Sequence, residues 1–413
     1  MIEISKRNYF LKSVALLSLL YLSYFLIFVL VEYLFFSLNI LSEENFLNWD
    51  AGHYYTIMKD GYRTGMLAFF PLFSFMWHFL NLNVYSINIL NGAIYIVSFA
   101  WLASEYRISI RNLILLASIP SMIFMFLPFS ESIFFFSTAM VLVGYNKNNL
   151  WLTAIGVFLA GLCRPVASIF IPAIILAEYL SIGNLKASFK KNSLLILLSL
   201  TSIFMVFFLQ YWQTGEWFVF FKVQKGWDNY FRIPSLPLSS WSGGLMTRVD
   251  AISLFVGVVA LVILINLIIK RTKSKRITLY NNAAIFSVSY LAILSVIVLF
   301  TKGGVFNSFN RYLFATTFAV LFLNEQLKRE VFGWRNVAIL FFITTCFWFL
   351  FASYVHIQAF LKFEILSAYV ILFLLASSHH KTIQQLAFIT LFMTNSFFVL
   401  LFFHRFLSSQ WIG

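Results

Sequence analysis

Charge is scarce in this chain: only 11% of its 413 residues are Asp, Glu, Lys or Arg. A soluble domain carries about 25%. With 61% of the residues hydrophobic there is too little polar side chain to cover a water-facing surface. The deficit excludes an ordinary soluble globule and leaves the bilayer as the fitting solvent. Cysteine is nearly absent. Cys163 and Cys346 lie far apart in apolar runs, which excludes a disulfide framework and a thiolate metal cluster. They read as small buried hydrophobes. No Walker or Rossmann glycine pattern occurs, so the loops that cradle ATP or a sugar nucleotide are missing. No Gly/Ser linker, low-complexity tract or internal repeat interrupts the chain, which reads as one membrane domain over 1–413. No small-residue cleavage site follows the first apolar run. That run, 11–38, exceeds the roughly 7–15 residues of a secretory signal core and is expected to remain as an uncleaved span.

What fills the chain is a series of apolar segments, with a mean hydropathy of +0.87. A hydrocarbon core about 30 Å thick takes roughly 20 helical residues per crossing. On that measure spans are expected near 11–38, 84–103, 113–127, 130–145, 150–163, 165–182, 193–211, 249–269, 282–301, 311–324, 337–352, 365–379 and 382–403. The expectation is an all-α polytopic membrane protein with about 11–14 transmembrane helices. The stretch 66–82 is also apolar, but counting it as a crossing would invert everything after it. It is expected to lie in the interface or to re-enter.

The net charge of +14 could suggest nucleic acid, but the basic residues form no single patch. They sit in short clusters between apolar runs, as membrane topology requires. With the N-terminus in the cytoplasm, the inner segments collect Lys6, Arg7 and Lys12, then Arg107, Arg111, Lys147, Lys186, Lys190 and Lys191. They also take the run 270–276, Lys328, Arg329, Arg335 and Lys381. That is most of the 29 Lys and Arg residues, while the majority of the 15 acids fall outside. Two sizeable outward loops result, near 39–83 and 212–248. The inward loops are short and leave no room for a cytosolic nucleotide-binding domain. Trp49, Trp77, Trp212, Trp217, Trp227 and Trp241 fall in or near the outward loops, as an aromatic belt would place them. The 52 Phe residues read as lipid-facing and packing surface.

The first outward loop holds Asn48-Trp49-Asp50-Ala51-Gly52-His53-Tyr54-Tyr55, then Gly61-Tyr62, then Ala68-Phe69-Phe70-Pro71-Leu72. A carboxylate among aromatics at a membrane surface is a candidate general base, since it is ionised at neutral pH and can take a proton from a hydroxyl within hydrogen-bond reach. The other reading of Asp50 is a solvated loop acid. Glu131 at a span edge allows a polar role or plain interfacial exposure, and Arg164 and Arg311 allow phosphate binding or snorkelling to the headgroups.

The three blocks Trp49-Asp50-Ala51-x-His53, Gly61-Tyr62 and Ala68-Phe69-Phe70-Pro71-Leu72 resemble, in order and spacing, the signature of the GPI mannosyltransferase II family. That family belongs to the GT-C membrane glycosyltransferases. Phe129-Ser130-Glu131-Ser132-Ile133-Phe134 is similar to a further block of the family, and Gly161-Leu162-Cys163-Arg164 to its Gly-x-x-Arg element. Gly215-Glu216-Trp217 with Gln224, Trp227 and Pro234 resembles a Gly-Asp-Pro…Gln…Trp…Pro loop. Asn310-Arg311-Tyr312 resembles an Arg-Tyr block. The likeness covers roughly 45–325. It departs from the family at Arg63-Thr64-Gly65-Met66-Leu67, where relatives often carry an acid, and at Glu216, where the family has Asp followed by Pro.

The resemblance implies a GT-C fold and an inverting transfer of mannose from a polyprenyl (dolichyl) phosphate to a hydroxyl of a glycolipid or glycan. The reaction would run on the outer or lumenal face of a plasma membrane or endoplasmic reticulum. It implies Asp50 as the base. A lipid-linked phosphate leaves as an anion, so the second carboxylic acid of a glycosidase is not required; positive charge and fixed donors are. Arg164, Arg311 and Lys302 are the expected phosphate ligands. Trp49, His53, Glu131, Gln224, Trp227 and Tyr312 are the expected supports of the site. No recognisable divalent-metal pattern occurs, so the expectation is transfer without a metal or other cofactor. A transporter or flippase of lipid-linked sugars is the alternative. It would favour paired halves with broken midplane helices, a symmetry absent from this sequence. An enzyme of the same architecture using another sugar also fits.

Overall fold

The computed structural model describes residues 6–165, 169–240, 244–273, 281–329, 333–351 and 357–413. Trp241, Lys275, Arg276 and positions 166–168 and 352 of two expected spans lie outside the described residues. Among those described, the regular elements are helices, with one isolated bridge between Ser239 and Val305. In chain order the α-helices are Lys6–Phe35 (α1), Glu43–Phe46 (α2), Asp50–Asp60 (α3), Pro71–Leu80 (α4), Val84–Tyr106 (α5), Ile110–Ala117 (α6) and Glu131–Lys147 (α7). Leu150–Cys163 (α8), Phe170–Ile182 (α9), Leu185–Lys191 (α10), Ser193–Thr214 (α11), Val219–Gly226 (α12) and Gly244–Thr272 (α13) follow. The last are Asn282–Thr301 (α14), Phe309–Phe314 (α15), Thr317–Leu327 (α16), Trp334–Trp348 (α17), Ile357–Leu375 (α18) and Lys381–Leu407 (α19).

Six of these are long and apolar enough to cross a bilayer: α1, α5, α11, α13, α14 and α19. A seventh crossing exists if the 3₁₀ turn Pro120–Phe126 and α7, bent by 104° at their junction, count as one. The protein is an all-helical, membrane-embedded chain. Among the described residues fewer full-length spans are found than the roughly thirteen expected, and at two of them the reason is local. The run 113–127 is not one helix: α6 stops at Ala117, and the chain resumes at Pro120 as a 3₁₀ turn, because proline lacks the N–H a helix interior needs. The run 311–324 is likewise divided between α15 and α16. Helices α8, α9 and α17 are apolar but of 10–17 residues. The ambiguous 66–82 forms α4, whose 10 residues reach only about 15 Å, too short to cross. α4 packs on α3 and α8, with Phe73 and Trp77 fully buried.

Burial follows the inverted pattern a bilayer selects. On α1 the buried stripe Ser13, Leu17, Tyr21, Tyr24, Phe28, Glu32 recurs every three or four residues, one helical face. Its opposite face exposes Leu19, Leu22, Phe25, Leu26 and Leu30. Polar groups turn inward because each one left unpaired in hydrocarbon is costly. Asn395 of α19 donates to Ser118 Oγ (3.2 Å) and accepts from Tyr369 Oη (2.8 Å). Close backbone approach uses small residues: a Cβ at Gly257 of α13 would overlap Ser295 Oγ of α14.

Breaks in the helices leave backbone carbonyls that need partners. Asn91 of α5 supplies them at the bend before α7, donating to Leu127 O (2.6 Å) and Phe129 O (3.2 Å). Gln210 of α11 joins the two large loops: its Nε2 donates to Leu67 O at 2.8 Å, and its Oε1 accepts from Phe220 N at 3.2 Å. The second loop begins after Thr214 rather than at 212, because α11 runs that far, and ends where α13 starts at Gly244. It is laced to the end of α14 by Ser235 N to Gly303 O (3.0 Å) and Phe306 N to Ser239 O (2.7 Å).

Candidate active site

Asp50 opens α3, and the residues around it hold it there. Asn48 Nδ2 donates to Phe406 O (2.9 Å), and Asn48 Oδ1 accepts from Ser409 Oγ (3.0 Å), so the segment after α19 clamps the loop. Trp411 meets Trp49 edge-on at 4.9 Å. Trp49 itself has φ 58° and ψ −131°, a conformation costly for a side chain of this size; the flanking clamps enforce it. Gly52 is required for close approach, since a Cβ there would lie 2.7 Å from Leu47 O.

Four charged residues meet at this point. Arg311 Nη1 donates to Asp50 Oδ2 at 2.6 Å, and Arg311 Nε donates to Glu131 Oε1. Arg164 Nη1 lies 3.2 Å from the same Glu131 oxygen. The side chains of Glu131, Arg311 and Arg164 are 0%, 4% and 6% exposed, against 24% for Asp50. Two acids and two arginines thus form a neutral chain running from the interior to one accessible carboxylate. Neutrality matters because buried charge is tolerated only when paired. The arginines are also sandwiched. Arg311 lies over Phe129 (4.4 Å) and Phe124 (5.2 Å), and Arg164 over Tyr312 (5.3 Å) and Phe134 (5.5 Å). The bend before α7 sets Glu131 in that helix's first turn, where the helix dipole favours a carboxylate.

The other expected residues are dispersed. Tyr312 belongs to the cluster through Arg164. His53, one turn after Asp50, faces Phe69 at 5.1 Å, and Phe69 meets Trp227 at 5.8 Å. His53 therefore lies one turn from Asp50 on α3, and Trp227, at the end of α12, is joined to it through Phe69. Gln224 accepts from Asn229 Nδ2 at 2.7 Å within the second loop. Lys302 caps the end of α14, where its charge acts on Asp228 and Asp250. Arg311, expected at a phosphate, commits Nε and Nη1 to carboxylates. Tyr54 donates to Ser130 Oγ at 3.0 Å, and burial, reinforced by the nearby Glu131 charge, pushes its phenol well above the ordinary range. It therefore stays a neutral donor. Among the described residues no three His, Cys, Asp or Glu side chains form a metal-holding group.

A cavity of about 530 Å³ lies between α6, α13, α16, α18 and α19. Its walls are almost wholly apolar, and its described cations are Arg248 and Lys362. Arg248 sits in the first turns of α13, beside the second loop, and Lys362 in the first turns of α18. From Arg248 the lining descends α13 as far as Val259, about 16 Å of helix. Ser121 lines the cavity and donates to Asn310 Oδ1 (2.9 Å). Asn310, next to Arg311, donates from N and Nδ2 to Asp250 Oδ1, each at 2.8 Å. Sequence reasoning passed over Arg248 and Lys362. The signal available was weak: two isolated cations near span ends, which is also how snorkelling residues look.

Comparison of the chain with protein-family profiles, curated proteins and solved structures finds no match. The functional reading therefore rests on the motif blocks and on where the fold puts them.

Proposed function

We propose that this chain is a GT-C-type glycosyltransferase that moves a mannosyl group from a polyprenyl phosphate to a hydroxyl of a glycolipid or glycan. One observation carries the reading. The blocks that resemble the GPI mannosyltransferase II family are scattered along the sequence, yet Asp50, Glu131, Arg164 and Arg311, each from a different block, come together in one ion-pair chain.

In this reading the carboxylate of Asp50 takes the proton of the acceptor hydroxyl. The hydroxyl oxygen forms a bond to the anomeric carbon from the face opposite the phosphate. The bond from that carbon to the phosphate oxygen breaks, and its electron pair leaves on the phosphate. Arg311 is a positioning residue: it holds one Asp50 oxygen and leaves the other to face the acceptor. The long apolar cavity suits the prenyl chain. Arg248 and Lys362 replace Arg311 as the cations proposed for the phosphate, with Lys302 as a third candidate. The reaction face is proposed to be the outer or lumenal one.

The test is an assay of purified protein with radiolabelled polyprenyl-phosphate mannose and a set of glycolipid acceptors. Asp50→Asn is expected to abolish transfer while leaving donor binding intact. Full transfer by that variant would remove the catalytic assignment. A cysteine placed at Asn45 tests the orientation, being expected to react with an impermeant reagent from outside; labelling from the cytoplasmic side alone would overturn the reaction face.

A further inference from the structure

A second cavity, of about 580 Å³, opens between the two large loops. Its walls are more polar than those of the first. Gln213, Thr214, Glu216, Lys222 and Trp227 line it, with Gly65 contributed by the first loop. Trp227 is 45% exposed, so part of its ring is open to a ligand. The residue caps α12, where its backbone N–H donates to Val223 O and Gln224 O at 3.1 Å, and its ring meets Phe69 edge-to-face.

We infer that this cleft binds the non-reducing end of a neutral glycan, the acceptor of the transfer proposed above. The inference rests on that reading for the glycan's purpose, but its own support is separate. A sugar presents an apolar C–H face and a rim of hydroxyls that both donate and accept. The cleft offers the matching set, an open indole face and an amide, a hydroxyl, a carboxylate and an ammonium. Its charges cancel, because Lys222 Nζ pairs with Glu216 Oε2 at 2.9 Å; that favours a neutral ligand over a phosphate. Position adds the last argument. The packed rings of Trp227, Phe69 and His53 link the cleft to α3, one turn from Asp50, a separation within the reach of a glycan of a few rings. A sugar seated on Trp227 would extend toward the carboxylate that deprotonates it.

The fold supplies a clean way to block the cleft. A Cβ added at Gly65 or at Gly226 meets nothing within 4 Å, and neither residue needs a positive φ. Gly65→Trp and Gly226→Leu should therefore fill space without disturbing the backbone. The probe is α-linked mannotriose, titrated against the purified full chain and followed by saturation-transfer NMR, with mannose 6-phosphate as the charged control. Wild type is expected to bind the triose. Trp227→Ala, Gly65→Trp and Gly226→Leu should weaken it by about tenfold or more at unchanged thermal midpoints. No triose binding by wild type, undiminished binding by both filled variants, or preference for mannose 6-phosphate would overturn the inference. If triose binds as expected but no mannose is transferred from polyprenyl-phosphate mannose, the transferase reading fails and the cleft stands. If transfer proceeds and Gly65→Trp leaves the acceptor KM unchanged, the cleft fails and the transferase reading stands.

Discussion

Replacing Arg311 by methionine should separate the structural and chemical roles of the ion-pair chain. In the wild type Asp50 and Glu131 balance Arg164 and Arg311. Arg311→Met leaves two carboxylates against one guanidinium. Glu131, fully buried, keeps only Arg164 at 3.2 Å. Breaking a buried pair by removing one partner costs about 3–5 kcal/mol. The lost stacking on Phe129 and Phe124 adds to this, although methionine keeps part of the aromatic contact. Asp50 contributes little to the penalty because water reaches it. A net loss of about 3 kcal/mol is thus expected from a total stability on the order of 5–15 kcal/mol. Adding Glu131→Gln removes the uncompensated charge, restores neutrality and keeps an amide oxygen for Arg164. The double variant should therefore be more stable than Arg311→Met alone, with a coupling of about 0.5–3 kcal/mol. Thermal unfolding of detergent-purified protein, followed by intrinsic fluorescence, measures both effects. Transfer activity should stay lost in the double variant even as its midpoint recovers, because Asp50 has lost the group that orients it. An unshifted midpoint for Arg311→Met, or a double variant less stable than the single, would refute the reasoning.

Three further outcomes follow from other parts of the fold. Arg248→Ala with Lys362→Ala should raise the KM for polyprenyl-phosphate mannose at least tenfold while the acceptor KM holds; equal changes in both would remove the cavity from the donor's path. Gly257→Leu forces a side chain into Ser295 and should cost about 1–3 kcal/mol, or prevent folding, as read by the yield and midpoint of purified protein; a wild-type midpoint would contradict the close contact of α13 and α14. The guanidinium of Arg232, whose Nη2 lies 2.6 Å from Asp228 Oδ2, holds that carboxyl below its ordinary range. A lowered pKa means the pair supports the second loop fully above about pH 4 and loses that support as the pH falls below it. Proteolytic protection of the loop should therefore be flat from pH 7 to about pH 5 and decline only in stronger acid.

Some features were open to reading along the chain because they are local. The helix starts near Val84, Leu150 and Asn282 coincide with Asn side chains that cap the first turn, accepting from Ser86 N, Leu152 N and Ala284 N. The candidate base stood out because Trp49, Asp50 and His53 are near neighbours. The breaks after Ala117 and Phe314 were harder to see. Both runs stay apolar throughout, and hydropathy registers composition rather than hydrogen bonding. Pro120 was the visible sign of the first; the second is marked only by Thr316, whose hydroxyl caps α16. The role of Arg311 could not be read at all, since an arginine at a span end looks the same whether it meets a phosphate, a headgroup or a carboxylate.

By itself the sequence determined the solvent. A preference for hydrocarbon over water is a sum over side chains and does not depend on how they are arranged, so 61% hydrophobic and 11% charged residues suffice. Tertiary structure alone decided the company Asp50 keeps. Its partner Arg311 lies 261 positions away, and no periodicity links them; the bend before α7, the short separate helix α15 and the clamp on Asn48 do. The same packing left Arg248 and Lys362 in one apolar cavity and Trp227 partly exposed. Those distances are set by how the helices cross, a property of the assembled bundle and not of any one segment.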